Sequence, residues 1–300
     1  MQTEFDIAVH GLRDRLLRIR SMDSLKMDEE ALTLLAEYSR ERRFEKGDVL
    51  LREGEPLESV YMVLDGMVEV RRKGALVAHV EAGRGVGVLS LLARDPNGVD
   101  AVAERATLTL EVPASAFLST YEENFSATRN ALRLATGALL KRRGSLPVDP
   151  GRIQEPEMGT YRDRELTLVE RIISLRSAPL FGRINLDAVV EICRRMEEVR
   201  LPAGHVVWEA GDRAKYNFRI DYGHVRCTNP DGQSVVIGSK WVIGALDVLG
   251  DHPRAYTAAT ETDVIAIKIP GEGFLAVLET NVELAMDMLA MFSSALLQGN

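Results

Sequence analysis

Only two cysteines, Cys193 and Cys227, occur in 300 residues, and neither lies in a CxxC pair or a Cys/His cluster. That excludes a disulfide framework or a zinc module, and two buried thiols in a reducing compartment are the expectation. Basic charge is also short, with 37 Lys and Arg against 45 Asp and Glu and a net charge of −8. Neutralising a phosphate backbone needs a basic face, so the balance argues against a nucleic-acid binder while leaving room for a local basic patch. No apolar run reaches the length of a membrane span, so no membrane partner is expected. The first residues are acidic early and then amphipathic, unlike a signal peptide, which places the protein in the cytoplasm. No P-loop, nucleophile–base pair or carboxylate dyad stands out, and His10, His79, His205, His224 and His252 are scattered without metal-ligand spacing. The reading is a protein that is not an enzyme, with no metal and no resident cofactor. Gly83–Gly87 looks like a dinucleotide glycine loop, but it precedes no long helix of a βαβ unit and reads as a turn.

What is present is a repeat. GDVLLREGEP from Gly47 matches GHVVWEAGDR from Gly204, 157 positions later (204 − 47). At the same offset Gly54 meets Gly211, Gly66 meets Gly223, Gly87 meets Gly244, Pro96 meets Pro253, Pro113 meets Pro270 and Phe117 meets Phe274. The register holds without a gap over about seventy residues. Glycine marks turns that need positive φ and proline marks fixed φ, so sharing them in register means sharing turn geometry. A hydrophobic fraction of 46% and a charged fraction of 27% suit a globular chain, and 300 residues hold two domains of ordinary size.

Each copy reads as helices, a compact roll of short strands, then a helix. Phe5, Val9, Leu12, Leu16 and Ile19 have helical spacing, with Thr3 and Asp6 as a capping pair. The matching helix of the second copy falls near Arg164–Leu175, and a further helix follows in each copy, near Asp28–Arg40 and Leu186–Glu197. Strands are expected at Val49–Arg52, Val60–Leu64, Val68–Arg72, Leu76–Val80, Leu108–Val112 and Val264–Ile269, separated by glycine and proline turn signals. Short helical segments interrupt them at Leu89–Ala93 and Leu246–Gly250. Closing helices run from about Glu123 to Arg142 and from about Val282 to Leu297. The expected fold is α+β, two tandem antiparallel β-roll (jelly-roll-like) domains each flanked by helices. The domains are residues 1–143 and 160–300, joined by a linker at 144–159.

The segments Gly47-Asp48-Val49-Leu50, Glu53-Gly54-Glu55-Pro56 and Tyr61-Met62-Val63-Leu64-Asp65-Gly66-Met67-Val68 resemble the cyclic nucleotide-binding domain family. This is the β-roll of bacterial catabolite-activator-type regulators and of protein kinase A regulatory subunits. The resemblance covers roughly Leu25–Arg143 and Pro179–Leu297. It implies a phosphate-binding cassette, in which a short helix aims its amides at a cyclic phosphate, an Arg pairs with the phosphate and a Glu accepts the ribose 2′-OH.

In the first copy the cassette is Val86-Gly87-Val88-Leu89-Ser90-Leu91-Leu92 followed by Pro96-Asn97-Gly98-Val99-Asp100-Ala101. Val88 stands at the Glu position, Asn97 at the Arg position, and Asp100 replaces a Thr or Ser and adds negative charge. The degenerate set is thus Gly87, Val88, Leu89, Asn97, Gly98 and Asp100. In the second copy Ala245 stands at the Glu position, while Arg254 and Thr257 remain. The candidate ligand set there is Gly244, Ala245, Leu246, Arg254, Ala255 and Thr257, with a cyclic nucleotide as the implied ligand. Each charge-assisted contact contributes about 1.5–3 kcal/mol, so losing both Glu and Arg costs at least about two decades of affinity. The first pocket therefore reads as blind to cyclic AMP and cyclic GMP. Asp247 lies two positions past the Glu site, where a helix sends it to another face, so it is not expected to substitute.

Several features keep two readings. Arg254 is either a phosphate clamp or a surface arginine after a proline. Arg142-Arg143-Gly144-Ser145-Leu146 is either a helix terminator or a basophilic phosphosite at Ser145. Trp208 reads as core. The apolar coverage of the last helix, with Met286, Met288 and Met291 beside Leu284, Leu289, Phe292, Leu296 and Leu297, fits packing on the second roll or a homodimer face. Relatives that regulate transcription carry a helix-turn-helix after the long helix; the sequence stops at Asn300, so no DNA contact is expected. Three functions follow: a protein-interaction module that has lost nucleotide sensing, a sensor binding a cyclic nucleotide or related anion in the second copy, or a regulatory subunit that holds a kinase-like partner through the linker.

Overall fold

A computed structural model of the chain describes residues 2–22, 27–142, 145–147, 158–176 and 185–298. Most of the expected linker lies outside the described residues. The first copy runs α1 (Gln2–Arg20), α2 (Glu29–Tyr38), β1 (Arg40–Phe44), β2 (Val49–Leu51), β3 (Ser59–Asp65), β4 (Met67–Arg72), β5 (Ala75–Glu81), β6 (Gly85–Val86), α3 (Val88–Leu92), β7 (Asp100–Ala103), β8 (Thr107–Pro113), α4 (Ala114–Glu123) and α5 (Phe125–Arg142). The second runs α6 (Leu168–Arg176), α7 (Leu186–Arg195), β9 (Glu197–Leu201), β10 (Val206–Trp208), β11 (Tyr216–Tyr222), β12 (Val225–Thr228), β13 (Ser234–Ile237), β14 (Val242–Ile243), α8 (Ala245–Leu249), β15 (Thr257–Thr260), β16 (Val264–Pro270), α9 (Gly271–Thr280) and α10 (Val282–Leu297).

Each roll is two four-stranded antiparallel sheets, ordered β1-β8-β3-β6 and β2-β7-β4-β5 in the first copy and β9-β16-β11-β14 and β10-β15-β12-β13 in the second. The pairing register repeats at the same offset. Ser59 faces Pro113 as Tyr216 faces Pro270, and the bulge between Val63 and Asp65 recurs between Ile220 and Tyr222. The shared glycines explain why. Gly66 and Gly223 have φ of 104° and 88°, and a Cβ at Gly66 would lie 2.6 Å from the Thr107 Cα and 2.8 Å from the Ala106 carbonyl. No side chain fits that turn, so both copies fold through glycine there.

The cores differ in chemistry. The first is aliphatic apart from the edge-to-face pair Phe44–Tyr61, and gathers Val63, Val68, Val70, Val80, Val86 and Val99. The second is built around Trp208, which stacks on Phe218 at 6.0 Å and meets Tyr256 at 5.9 Å. Cys193 and Cys227 are buried free thiols, and burial pushes the Cys227 thiol well above its ordinary range.

Element ends depart from the sequence reading for local reasons. The helix expected at Asp28–Arg40 starts one residue later, because Asp28 is its cap and accepts from the Ala31 amide at 3.0 Å; it ends at Tyr38 because Arg40 already pairs with Glu111 in the sheet. The helix expected from Arg164 begins at Leu168, where Thr167 and Glu170 close a reciprocal capping box: the Glu170 amide donates to Thr167 Oγ1 at 3.3 Å and the Thr167 amide to Glu170 Oε2 at 2.8 Å. Thr3 falls inside α1 rather than at its cap. The closing helix expected from about Glu123 to Arg142 is α5, which starts at Phe125 because Asn124 is extended, and α4 and α9 are additions to the expected element list.

Packing divides the chain into two units, one of Met1–Asn130 with Leu289–Asn300 and one of Ala131–Met288. Leu284, Met286, Met288, Leu289, Phe292 and Leu297 are buried within the chain, while Met291 is exposed. Leu289–Leu297 belong to the first unit rather than to the second roll.

A strap precedes α6, and the described positions equivalent to it in the first copy lie in α1 instead. Gly159 bridges to Tyr222, and the Gly223 amide donates to the Met158 carbonyl at 2.7 Å. Arg162 is the pin, donating to Glu198 and Asp221 at 3.0 Å each, both carboxylates being almost wholly buried.

Candidate functional site

The two cassettes start alike. Gly87 caps α3 with φ 83°, and Gly244 caps α8 with φ 76°, a left-handed turn that favours glycine in both. The chain behind each cassette is tied to the same turn. The Gly54 amide donates to the Asn97 carbonyl at 2.6 Å, and the Gly211 amide to the Arg254 carbonyl at 2.8 Å. Asp100 accepts from the Glu53 amide at 2.9 Å, and Thr257 accepts from the Ala210 amide at 3.0 Å. Asp100 and Thr257 thus perform one task, buckling the turn before the cassette.

The pockets then diverge. In the first, Asn97 is exposed, and its side-chain amide lies 3.4 Å from its neighbour Asp95. Aliphatic groups press on the cassette instead, and a Cβ at Gly87 would lie 2.9 Å from Leu51 Cδ1 and 3.2 Å from Leu57 Cδ1. Val88 and Leu89 carry no charge, and Gly98 turns at φ 61°. In the second, Arg254 points inward and only 3% of it is exposed. Its guanidinium carbon lies 3.8 Å from the centre of the Trp208 ring and 5.4 Å from that of Tyr216. It donates to the Gly244 carbonyl at 3.4 Å and to the Tyr216 carbonyl. Asp247 Oδ2 is 3.7 Å from Arg254 Nη1, and each side chain is 1% exposed. The Gly244 amide, at the head of the cassette, donates to the Tyr256 hydroxyl at 2.6 Å, and the Trp208 indole N–H donates to the Tyr256 carbonyl at 2.9 Å.

Arg254 is therefore not the surface arginine of one sequence reading. Asp247 does not turn away, as the helical spacing implied, because α8 is only five residues long and its inner face is turned into the roll. Burial pushes the Asp247 carboxyl up to about 6, against the opposing pull of Arg254, and the same burial lowers Arg254. Ala245 and Leu246 are half-buried at the start of α8, and Ala255 is half-buried beside Arg254.

Residues 41–124 and 198–281 each match the profile of the cyclic nucleotide-binding domain, more than half of the chain between them and 157 positions apart. The chain belongs to the cyclic nucleotide-binding domain family. Among curated proteins, a cyclic nucleotide-gated potassium channel of Rhizobium etli is 27% identical over 109 residues, 36% of this chain and 30% of the channel. A CRP-like cAMP-activated global transcriptional regulator of Mycobacterium tuberculosis is 23% identical over 131 residues, 42% of this chain and 58% of the regulator. The chain thus spans less than two thirds of either relative. Among solved structures, the regulatory domain of Toxoplasma gondii PKA with cAMP is 16% identical, with 95% of this chain and 97% of that one covered and a TM-score of 0.37.

The second site also contains Trp208, Tyr216, Asp247 and Tyr256, which lie outside the candidate ligand set read from the sequence. Their counterparts at the 157-residue offset are Leu51, Ser59, Ser90 and Val99. The signal in the sequence is four joint differences between the copies, all gathered around the arginine that matches the family pattern. Ser145 sits past the end of α5 with φ 67°, and its amide donates to the Leu140 carbonyl at 2.8 Å, the geometry of a helix terminator. Among the described residues no three His, Cys, Asp or Glu side chains group as a metal site, and no helix is long and apolar enough to cross a membrane.

Proposed function

We propose that the chain is a non-enzymatic regulatory or scaffold protein whose two cyclic nucleotide-binding domains act through contacts with a protein partner. Cyclic nucleotide recognition is lost in the first domain and shut in the second. The observation that carries this reading is the commitment of Arg254. Its fork is spent on two backbone carbonyls and a carboxylate, and its face is covered by Trp208. A phosphate would have to displace all of these, and no glutamate waits for the ribose. Without that pair of contacts the remaining cassette amides bind weakly, and the Gly244 amide already serves Tyr256. The net charge of −8 favours a protein partner over nucleic acid.

Calorimetry of the whole chain with cyclic AMP, cyclic GMP and cyclic dinucleotides at neutral pH tests this. No saturable heat is expected up to about 1 mM ligand, which bounds binding near −4 kcal/mol. Saturation in the micromolar range would make the protein a sensor instead.

A further inference from the structure

Asp247 is an unusual buried carboxylate in this chain. Among the described residues, the other two carboxylate residues buried as a whole are held tightly: Glu111 lies 2.8 Å from Arg40, and Glu198 lies 3.0 Å from Arg162 and 3.1 Å from Arg200. Asp247 stands 3.7 Å from Arg254, and neither of its oxygens has a donor within 3.5 Å in good geometry, the Arg254 guanidinium and the Ala255 amide being the donors that pull on it from beyond that limit. Arg254 Nε is likewise buried without a partner. Paired Arg and carboxylate groups ordinarily close to about 2.7–2.9 Å, often through two parallel bonds. This pair is close enough to neutralise and too loose to be knit together. It lies at the first turn of α8 and faces the same Arg254 Nη1 that donates to the Gly244 carbonyl, so the carboxylate takes up the side of the guanidinium turned toward the cassette.

We infer that Asp247 is a built-in counter-ion that occupies the place of an anionic ligand, so that the second pocket is closed by its own side chain and opens to a phosphate when that charge is removed. This rests on the reading of the pocket as shut in the native chain. Asp247 is then a specificity-determining residue acting by competition, since one guanidinium cannot be fully paired with two anions. The first copy shows that the change is structurally tolerable. Ser90 stands at the equivalent position on α3, 3% exposed, in a cassette of the same backbone form.

The experiment is calorimetric titration of the full chain and of Asp247→Ser and Asp247→Asn with cyclic AMP and, separately, inorganic phosphate. At least one charge-removed variant is expected to bind roughly tenfold or more tighter than the native chain, and an added Arg254→Met is expected to abolish the gain. Cyclic AMP alone gaining affinity points to a nucleotide pocket, while equal gains for both probes point to a bare phosphate site. Both outcomes support the counter-ion role. The native chain titrated at about pH 5 and about pH 7.5 needs no variant to fold, and its anion affinity is expected to rise at the acid end. No gain in either folded variant, with no acid-side gain in the native chain, overturns the role of Asp247 and leaves the closed-pocket reading intact. A native chain that already binds cyclic AMP at neutral pH as tightly as the variants overturns both.

Discussion

At Gly87 the first cassette is crowded by Leu51 and Leu57, whereas at Gly244 the second is crowded by Arg254 and Trp208. The backbones are the same, down to the left-handed turn and the hydrogen bonds that tie residues 54 and 211 to the loops behind them. What fills the two frames is not the same. The first is closed by hydrocarbon and leaves its Asn97 outside; the second is closed by a buried ion pair under an aromatic lid. Turn residues and lining residues therefore answer to separate physical demands. Positive φ admits glycine in either copy, while the interior accepts any filling that satisfies its own volume and charge. Two routes to a closed pocket differ in one respect that matters: hydrocarbon has no charge to release, and an ion pair does.

The largest expected effect lies at Arg254. Removing one partner of a buried pair typically costs about 3–5 kcal/mol because the other charge is stranded. Arg254→Ala is expected toward the low end of that range, since Asp247 can take up a proton. Asn97→Ala, exposed in the first copy, is expected to stay within about 0.5 kcal/mol. Both tryptophans, Trp208 and Trp241, belong to the second unit, so their fluorescence in a urea titration follows that unit's unfolding. A loss below about 1 kcal/mol for Arg254→Ala would break the comparison, because the second pocket would then owe its closure to packing alone.

Next in size is a pH effect confined to the second copy. Asp247 titrates at about 6 when folded against an ordinary value of 3.8, with Arg254, His252, Cys227 and Tyr256 as the titratable groups facing it. The folded state holds this proton more tightly, so its contribution is greatest at acid pH and is lost as pH rises from about 4 to about 6. The span corresponds to about 3 kcal/mol at most. Subtracting the curve of Asp247→Asn removes the opposite trends of Glu111 and Asp28, whose carboxyls are lowered by hydrogen bonds from Arg40 and Ser126. A flat difference between the two proteins would show that Asp247 stays ionised across the range.

Much of this fold was legible in the sequence because glycine and proline positions encode backbone geometry directly. The offset of 157 residues placed Gly66 against Gly223 and Gly87 against Gly244, and those are the residues whose φ or close approach permits no side chain. The short cassette helices and the strand list followed from the same punctuation. Less was legible in the pocket. Helical periodicity sends Asp247 to another face of a long helix, but a single buried turn has no exposed face to offer, so burial overrode spacing. The apolar stripe of the last helix showed that it packs and did not show against what. Trp208 could be read as core, yet its placement over Arg254 depends on β10 and the loop before β15 meeting across the sheet, which no local pattern states.

Smaller effects sharpen the comparison further. The strap is private to the second copy: at the position equivalent to Asp221 the first has Leu64, and at that of Arg162 it has Phe5. Arg162→Ala is expected to cost about 1.5–3 kcal/mol, near the lower figure, since Glu198 keeps Arg200 and Asp221 keeps Arg219. Faster hydrogen exchange at the Gly223 amide, which donates to Met158, would report the strap's release, and unchanged exchange would show that the backbone bridge holds without its pin.

The smallest prediction concerns what the copies share. Asp100 and Thr257 each accept one backbone hydrogen bond from the turn before the cassette, at 2.9 and 3.0 Å. If both are turn buckles, Asp100→Ala and Thr257→Ala cost similar amounts, about 1 kcal/mol each, and Asp100→Thr is close to neutral. Thermal melts of the three variants test this. A ligand role for Thr257 makes a different demand: a side chain kept for binding contributes little to an empty fold, so Thr257→Ala would then melt like the native chain while Asp100→Ala would not. Equal losses would tie Thr257, the uncharged polar position that matches the family pattern, to the frame rather than to the pocket. Arg254 would then stand as the second cassette's only surviving charged contact, with Asp247 as the group already holding it.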